Sequence, residues 1–197
     1  MSVAPSRKFT LEEYLTLERA SEDKSQYYRG EIFAMPGGTK RHNVMGANVI
    51  GSLVAQLRNR PCRVYSGDMK IMVEATGLVT YPDAVVACEE DRLYDQEEDV
   101  LLNPTVLVEV LSPSTESYDR GKKSEHYRKI ESLKEYVLIA QDRIHIERLT
   151  RQPNGQWTLS EVDQAGQSLH LESIDCTLKV DDVYAKVLFG PETESAG

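Results

Sequence analysis

Long apolar runs are missing from this chain of 197 residues. None approaches the roughly 20 residues that a helix needs to cross a bilayer, which excludes a membrane-embedded protein of helical type. The first residues carry no apolar core of the kind that marks a secretory signal. Cysteine is scarce: Cys62, Cys88 and Cys176 are far apart and odd in number. They show no zinc-ligand spacing, and the pattern predicts reduced, buried thiols in a cytoplasmic protein. Basic charge is also short, with 23 Lys and Arg against 32 Asp and Glu and a net charge of −9. Proteins that coat nucleic acid tend to be basic over a whole domain, so the charge argues against that class. It does not exclude a local basic patch. Repeats and low-complexity linkers are absent.

What remains is an ordinary globular composition. Apolar residues make up 40% of the chain, enough for a sizeable core. The length fits one domain, over residues 1–190, followed by a disordered tail at 191–197. Thr10-Leu11-Glu12-Glu13 is a capping box, and a short helix is expected to follow to about residue 20. Residues 26–35 read as one strand, or two bent at Gly30. Met45, Val49, Leu53 and Leu57 form a four-spaced stripe on a helix over residues 41–59. Strands are expected at 63–65 and 69–73, with 78–88 pairing back as a hairpin partner. Residues 89–103 form a loop and 105–111 a central strand, apolar on both faces except for Glu109. A helix over 119–131, a strand over 136–140 and a hairpin turning at Asn154-Gly155 come next. A strand at 168–174 and an amphipathic helix over 180–189 end the domain. The order predicts an α/β domain with a mixed sheet flanked by helices and an added C-terminal β-hairpin region.

Three residues stand out as carriers of chemistry. Glu109 shares a strand face with Leu107 and Leu111, and every near neighbour is apolar. A carboxylate there is costly unless a cation or hydrogen bonds offset its burial. The bland alternatives are an edge position or a buried pair with arginine. Asp83 follows Pro82 and starts an apolar strand, a place where Asp also serves as mere punctuation. Two carboxylates on neighbouring strands suit a hard divalent cation such as Mg²⁺. Helix spacing favours Lys123 over Lys122 as an inward lysine, because Lys123, Tyr127 and Ile130 fall on one face at i, i+4 and i+7. Solvated helix surface is the alternative for both lysines, and Lys70 is a rival for the role.

These residues carry a resemblance. Pro82-Asp83 with Glu109-Val110-Leu111 is similar to the acidic pair of the restriction-endonuclease-like PD-(D/E)xK superfamily. Leu107 to Thr115, then Tyr118-Asp119-Arg120-Gly121, Lys123, Tyr127 and Glu135-Tyr136, resembles a large bacterial branch of it. That branch was catalogued as a domain of unknown function and described as candidate restriction endonucleases. Gly30-Glu31-Ile32 and Gly38-Thr39 with His42 extend the likeness upstream, over about residues 10–190. The superfamily's lysine two residues after the second acid is replaced here by Leu111. In the branch resembled, the lysine is moved to the following helix, which matches Lys123.

The resemblance implies a restriction-endonuclease-like fold and a Mg²⁺-dependent DNA endonuclease, with Mn²⁺ as an alternative ion. Asp83 and Glu109 would be the metal ligands, with Asp83, Glu109 and Lys123 as the catalytic set. Glu31, His42 and Tyr127 are supporting candidates: Glu31 as a further ligand or water holder, His42 as a general acid or phosphate contact. Ordinary surface is the competing reading for His42. A homodimer suits two-strand cleavage and the prevalence of two-fold symmetry. The competing class is a catalytically weak binding module that keeps the nuclease fold and recognises nucleic acid or protein. The acidic balance and Leu111 favour that class.

Overall fold

The computed structural model describes residues 7–189. Thr10 caps α1 (Leu11–Ala20): its hydroxyl accepts from the Glu13 amide at 3.1 Å, and the Glu13 carboxylate accepts from the Thr10 amide at 2.8 Å. β1 (Ser25–Tyr28) and β2 (Glu31–Ala34) form a hairpin that turns at Arg29 and Gly30, both with positive φ. α2 (Lys40–Leu57) buries Met45, Val49, Leu53 and Leu57, the stripe expected from sequence. Then come β3 (Arg63–Ser66), β4 (Lys70–Val73), β5 (Leu78–Thr80) and β6 (Ala84–Ala87).

The predicted strand over 78–88 is thus two strands in two different sheets. Tyr81-Pro82-Asp83 bends between them, where Pro82 offers no ladder N–H. This break is consequential, because it carries the chain from one sheet to the other and leaves Asp83 at the junction.

β7 (Val100–Leu101), β8 (Val106–Leu111), β9 (Glu135–Ala140), β10 (Ile146–Arg151) and β11 (Trp157–Val162) follow, with β12 (Ser168–Leu171) and β13 (Cys176–Lys179) as a separate hairpin. One sheet has the order β2-β1-β5-β4-β7 and the other β11-β10-β9-β8-β6-β3. β8 and β9 run parallel, while β6–β8 and β9–β10 are antiparallel, so the sheet is mixed.

The segment after β8 departs from the single helix expected over 119–131. It begins sooner in the chain, with α3 (Glu116–Tyr118), passes through a π turn (Asp119–Lys123), and closes in α4 (Ser124–Tyr127). The terminal helix is also shorter than expected. Only α5 (Val180–Val183) is helical, and the Tyr184 hydroxyl just after it lies 3.0 Å from both the Ala140 and the His145 carbonyl. Lys186, at positive φ, lies beyond it. The expected tail at 191–197 lies outside the described residues.

The cysteine expectation is corrected. The β3–β6 register sets Arg63 opposite Ala87, which brings the next residue pair, Cys62 and Cys88, together as a disulfide. Sequence separation hid a spatial pair. Cys176 is free and buried, as expected.

The six-stranded sheet has two unlike faces. On one, α2 packs against Val86, Val106, Val108 and Val110 in a wholly apolar layer. On the other, Val85, Leu107 and Leu138 meet Tyr127, Tyr136 and Leu133. The buried polar groups Glu109, Asp119 and Lys123 belong to this second region. No helix among the described residues is long and apolar enough to cross a membrane.

Candidate active site

The β6–β8 ladder aligns Ala84 with Val108 and Val85 with Leu107. One residue further, Asp83 comes opposite Glu109. Alternation along β8 puts Glu109 on the face of Leu107 and Leu111, toward Tyr127. Asp83 Oδ2 accepts from the Val110 amide at 2.7 Å, so the carboxylate takes the place of a backbone partner at the strand end. The two acids are thereby fixed to adjacent strands by the backbone itself.

Lys123 reaches Glu109 from the π turn. Its Nζ lies 2.7 Å from Glu109 Oε1 and 3.2 Å from Asp119 Oδ1. Lys122, by contrast, is exposed. The i, i+4 relation of Asp119 and Lys123 places both on one side of the turn, and the wide π geometry is a frequent local device at functional positions. The Tyr127 hydroxyl donates to the same Glu109 oxygen at 2.7 Å. The Tyr136 hydroxyl donates to the Asp119 carbonyl at 3.2 Å, which ties the π turn to β9.

His42 stands in the first turn of α2, 3.2 Å from Asp83 Oδ2 through Nε2. The structure therefore brings together Asp83, Glu109, Lys123, Tyr127 and His42. Glu31 is exposed on β2, and among the described residues no hydrogen bond or ion pair joins it to the others. Lys70 is occupied elsewhere, 2.7 Å from Asp99.

The sequence marked Asp119 only as part of the motif around Lys123, with no role, and did not mark Gln26 at all. Asp119 is buried and shares Lys123; its signal was an acid four residues before that lysine. Gln26 Oε1 accepts from Thr80 at 3.3 Å and, at the outer limit, from Tyr118 at 3.5 Å. Nothing in its local sequence marks it.

The electrostatics follow from burial. Desolvation pushes the Glu109 carboxyl up to about 8; Lys123 pulls it down, while Asp119 and Asp83 add to the rise. Burial works against the charge of Lys123, but Glu109 and Asp119 outweigh it and hold the ammonium protonated. The hydrogen bond to Asp83 raises the His42 pKa above its ordinary value, against a smaller effect of burial. Three carboxylates thus surround one lysine. Glu109 Oε2 and Asp83 Oδ1 have no protein hydrogen-bond partner among the described residues. Hard oxygen donors that outnumber the lysine fit a divalent cation, whose binding would displace the Glu109 proton. A tighter trio of ligand-type side chains lies at His145, Glu147 and Glu161, within 4.8 Å of one another, but Arg120 already holds Glu147.

Comparison with known proteins identifies the family and the fold. The Uma2 family model, described as "Putative restriction endonuclease", matches residues 11–181. The uncharacterized protein slr1290 of Synechocystis sp. is 35% identical over 187 residues, spanning 94% of this chain and 96% of that protein. A second Synechocystis protein, sll1609, is 31% identical over 172 residues, spanning 87% and 96%. The crystal structure of a protein from Anabaena variabilis, described as a "putative nuclease belonging to DUF820", superposes with a TM-score of 0.75. It covers 91% of this chain and 99% of its own at 20% identity, which establishes the shared fold. With the model spanning the elements that carry Asp83, Glu109 and Lys123, this chain belongs to the Uma2 family, within the restriction-endonuclease-like superfamily.

Proposed function

We propose that the protein is a Mg²⁺-dependent endodeoxyribonuclease that hydrolyses DNA phosphodiester bonds, with Mn²⁺ able to replace Mg²⁺. One observation carries the reading: a buried lysine at 2.7 Å from Glu109, with Asp119 and Asp83 also in its field, leaves the centre with more carboxylates than cations. Asp83 and Glu109 would hold the ion through their free oxygens, with water completing the set. When bound, such an ion polarises the scissile phosphate and acidifies a water.

The chain's own groups divide the remaining work. Lys123 keeps its proton and offers N–H donors to the attacking water or to charge developing on the phosphate. Tyr127 fixes the Glu109 carboxylate in one orientation. His42 and the Val110 amide both hold Asp83 Oδ2, which leaves Oδ1 as the oxygen presented to the ion. Asp119, one turn before it on the same side, steadies Lys123. A two-fold dimer, offering one such centre to each DNA strand, belongs to the same reading.

Plasmid nicking tests it. Wild type with Mg²⁺ converts supercoiled DNA to open circles, whereas Glu109→Gln and wild type in EDTA do not. Cleavage surviving in Glu109→Gln removes the assignment. If neither protein cuts while wild type still retards DNA on a gel, a binding module that kept the fold is the better description.

A further inference from the structure

Beside the acidic centre lies a cavity of about 430 Å³ that the chemistry above does not use. It is walled by Thr39, Lys40 and Arg41 at the start of α2, by Pro113 after β8 and by Gln141 after β9. Lys186 to Leu188 close another side. The cavity therefore sits beyond the carboxyl ends of two parallel strands, where open α/β sheets receive ligands.

Potential donors line it beside the apolar side chains of Val44, Val187 and Leu188. Thr39 caps an 18-residue helix, and its hydroxyl is already taken by the His42 amide at 3.2 Å. The amides of Lys40 and Arg41, ahead of the first intrahelical bond, have no protein acceptor among the described residues. Such amides and the helix dipole favour an anion. The independent observation is Gln141. It is only 5% exposed, its Oε1 accepts from the Thr39 hydroxyl at 2.7 Å, and its Nε2 donates to no described residue. A buried amide without an acceptor is costly unless a ligand supplies one. Lys40, Arg41 and Lys186 make the wall cationic, and the one acid there, Asp142, is engaged by Arg143 at 3.1 Å.

We propose that this cavity holds a backbone phosphate of the DNA strand adjacent to the scissile bond. The inference rests on the nuclease reading for the identity of the ligand, but not for the presence of an anion site. His42 supplies the link between the two, since it lies in the same first turn of α2 and contacts Asp83. A phosphate seated on the amides of Lys40 and Arg41 would thus fix the register of the strand relative to the acids without touching the reacting atoms.

The test is binding of a fluorescein-labelled DNA duplex to the full chain, without divalent metal, by anisotropy across a salt series. Gln141→Glu keeps the acceptor for Thr39 and fills the site with the protein's own anion, so thermal stability should hold. DNA binding should weaken about tenfold, the scale of a hydrogen bond to a charged group. Lys40→Gln with Arg41→Gln should lower the salt slope by about one, the contribution of the one phosphate they neutralise. The proposal is overturned if Gln141→Glu folds and binds like wild type. It is equally overturned if the double variant leaves both affinity and slope unchanged, and that arm decides alone should Gln141→Glu not fold. The nuclease reading fails separately: weakened binding in these variants with no plasmid cleavage by wild type keeps the anion site and discards the activity. Cleavage by wild type with unaltered binding in the variants does the reverse.

Discussion

Among the described residues two lysines are buried, and they sit in opposite electrostatic conditions. Lys70 lies 2.7 Å from Asp99, which also accepts from Arg19, and Arg19 reaches on to Asp95. Two cations meet two anions there and tie α1 to the loop before β7. Arg19, with Lys70 behind it, pulls the Asp99 carboxyl down to about 2 despite partial burial. Lys123 faces Glu109, Asp119 and Asp83, and there burial pushes Glu109 up to about 8. One centre pairs two cations with two anions; the other has more carboxyl groups than lysines, and oxygens with no protein partner among the described residues. A buried ion pair alone says little about function. The imbalance is what distinguishes a site from a strut.

Replacing each lysine by methionine should separate the two most strongly. Lys123→Met leaves two buried carboxylates without their cation, and removing one partner of a buried pair costs about 3–5 kcal/mol. Because the Glu109 pKa is raised, its carboxyl takes up a proton as pH falls below about 8, so the penalty should shrink between pH 9 and pH 5. Lys70→Met leaves Asp99 paired with Arg19, so about 1–2 kcal/mol is expected. That loss should be flat over the same interval, since the Asp99 contribution disappears only as pH falls toward about 2. Urea unfolding of both variants in EDTA at pH 5, 7 and 9 makes the comparison. Equal pH profiles would erase the distinction between the two lysines.

Divalent cation sharpens the same contrast at a smaller scale. In EDTA, stability should fall as pH rises from the ordinary carboxylate range toward 8, because folding then buries a charge on Glu109. Saturating Mg²⁺ at pH 8 should restore it, by about 2.7 kcal/mol at a hundred times Kd. The affinity for Mg²⁺ should rise with pH up to about 8, as the ion displaces the Glu109 proton. Lys70→Met should respond to Mg²⁺ as wild type does, and Glu109→Gln should not respond. Thermal melts across a Mg²⁺ titration read all three.

The sequence made some of this legible and hid the rest for physical reasons. Glu109 was visible because an acid inside an unbroken apolar strand has no cheap explanation. Lys123 was visible because helical spacing separates it from Lys122, and the π turn still points it inward. The two-sheet break at Pro82 was not visible: local apolarity runs straight through it, and only tertiary pairing assigns Leu78–Thr80 and Ala84–Ala87 to different sheets. The Cys62–Cys88 bond and the Gln26 contacts were hidden for the same reason, being products of strand register rather than of local pattern. Gln141 gave no sign at all, since a glutamine after a strand is ordinary until its amide is found buried without an acceptor.

The smallest effect concerns His42, which the chain places with a glycine. A Cβ on Gly38 would lie 2.5 Å from His42 Nδ1 and 2.9 Å from its Cγ, so Gly38→Ala must displace the imidazole or the turn before α2. The ring is half-buried against Asp83, and that contact is worth on the order of 0.5–1 kcal/mol. Because the His42 pKa is raised, this stabilisation is fully present below the ordinary histidine range and fades as pH rises through the folded value. Gly38→Ala should therefore lower stability slightly more at pH 5.5 than at pH 9. In an NMR titration the His42 signal should move back toward an ordinary histidine pKa, while the Lys70 centre shows no response. If His42 keeps its raised pKa in Gly38→Ala, then the turn has yielded instead of the ring, and the glycine is not what holds His42 against the acid.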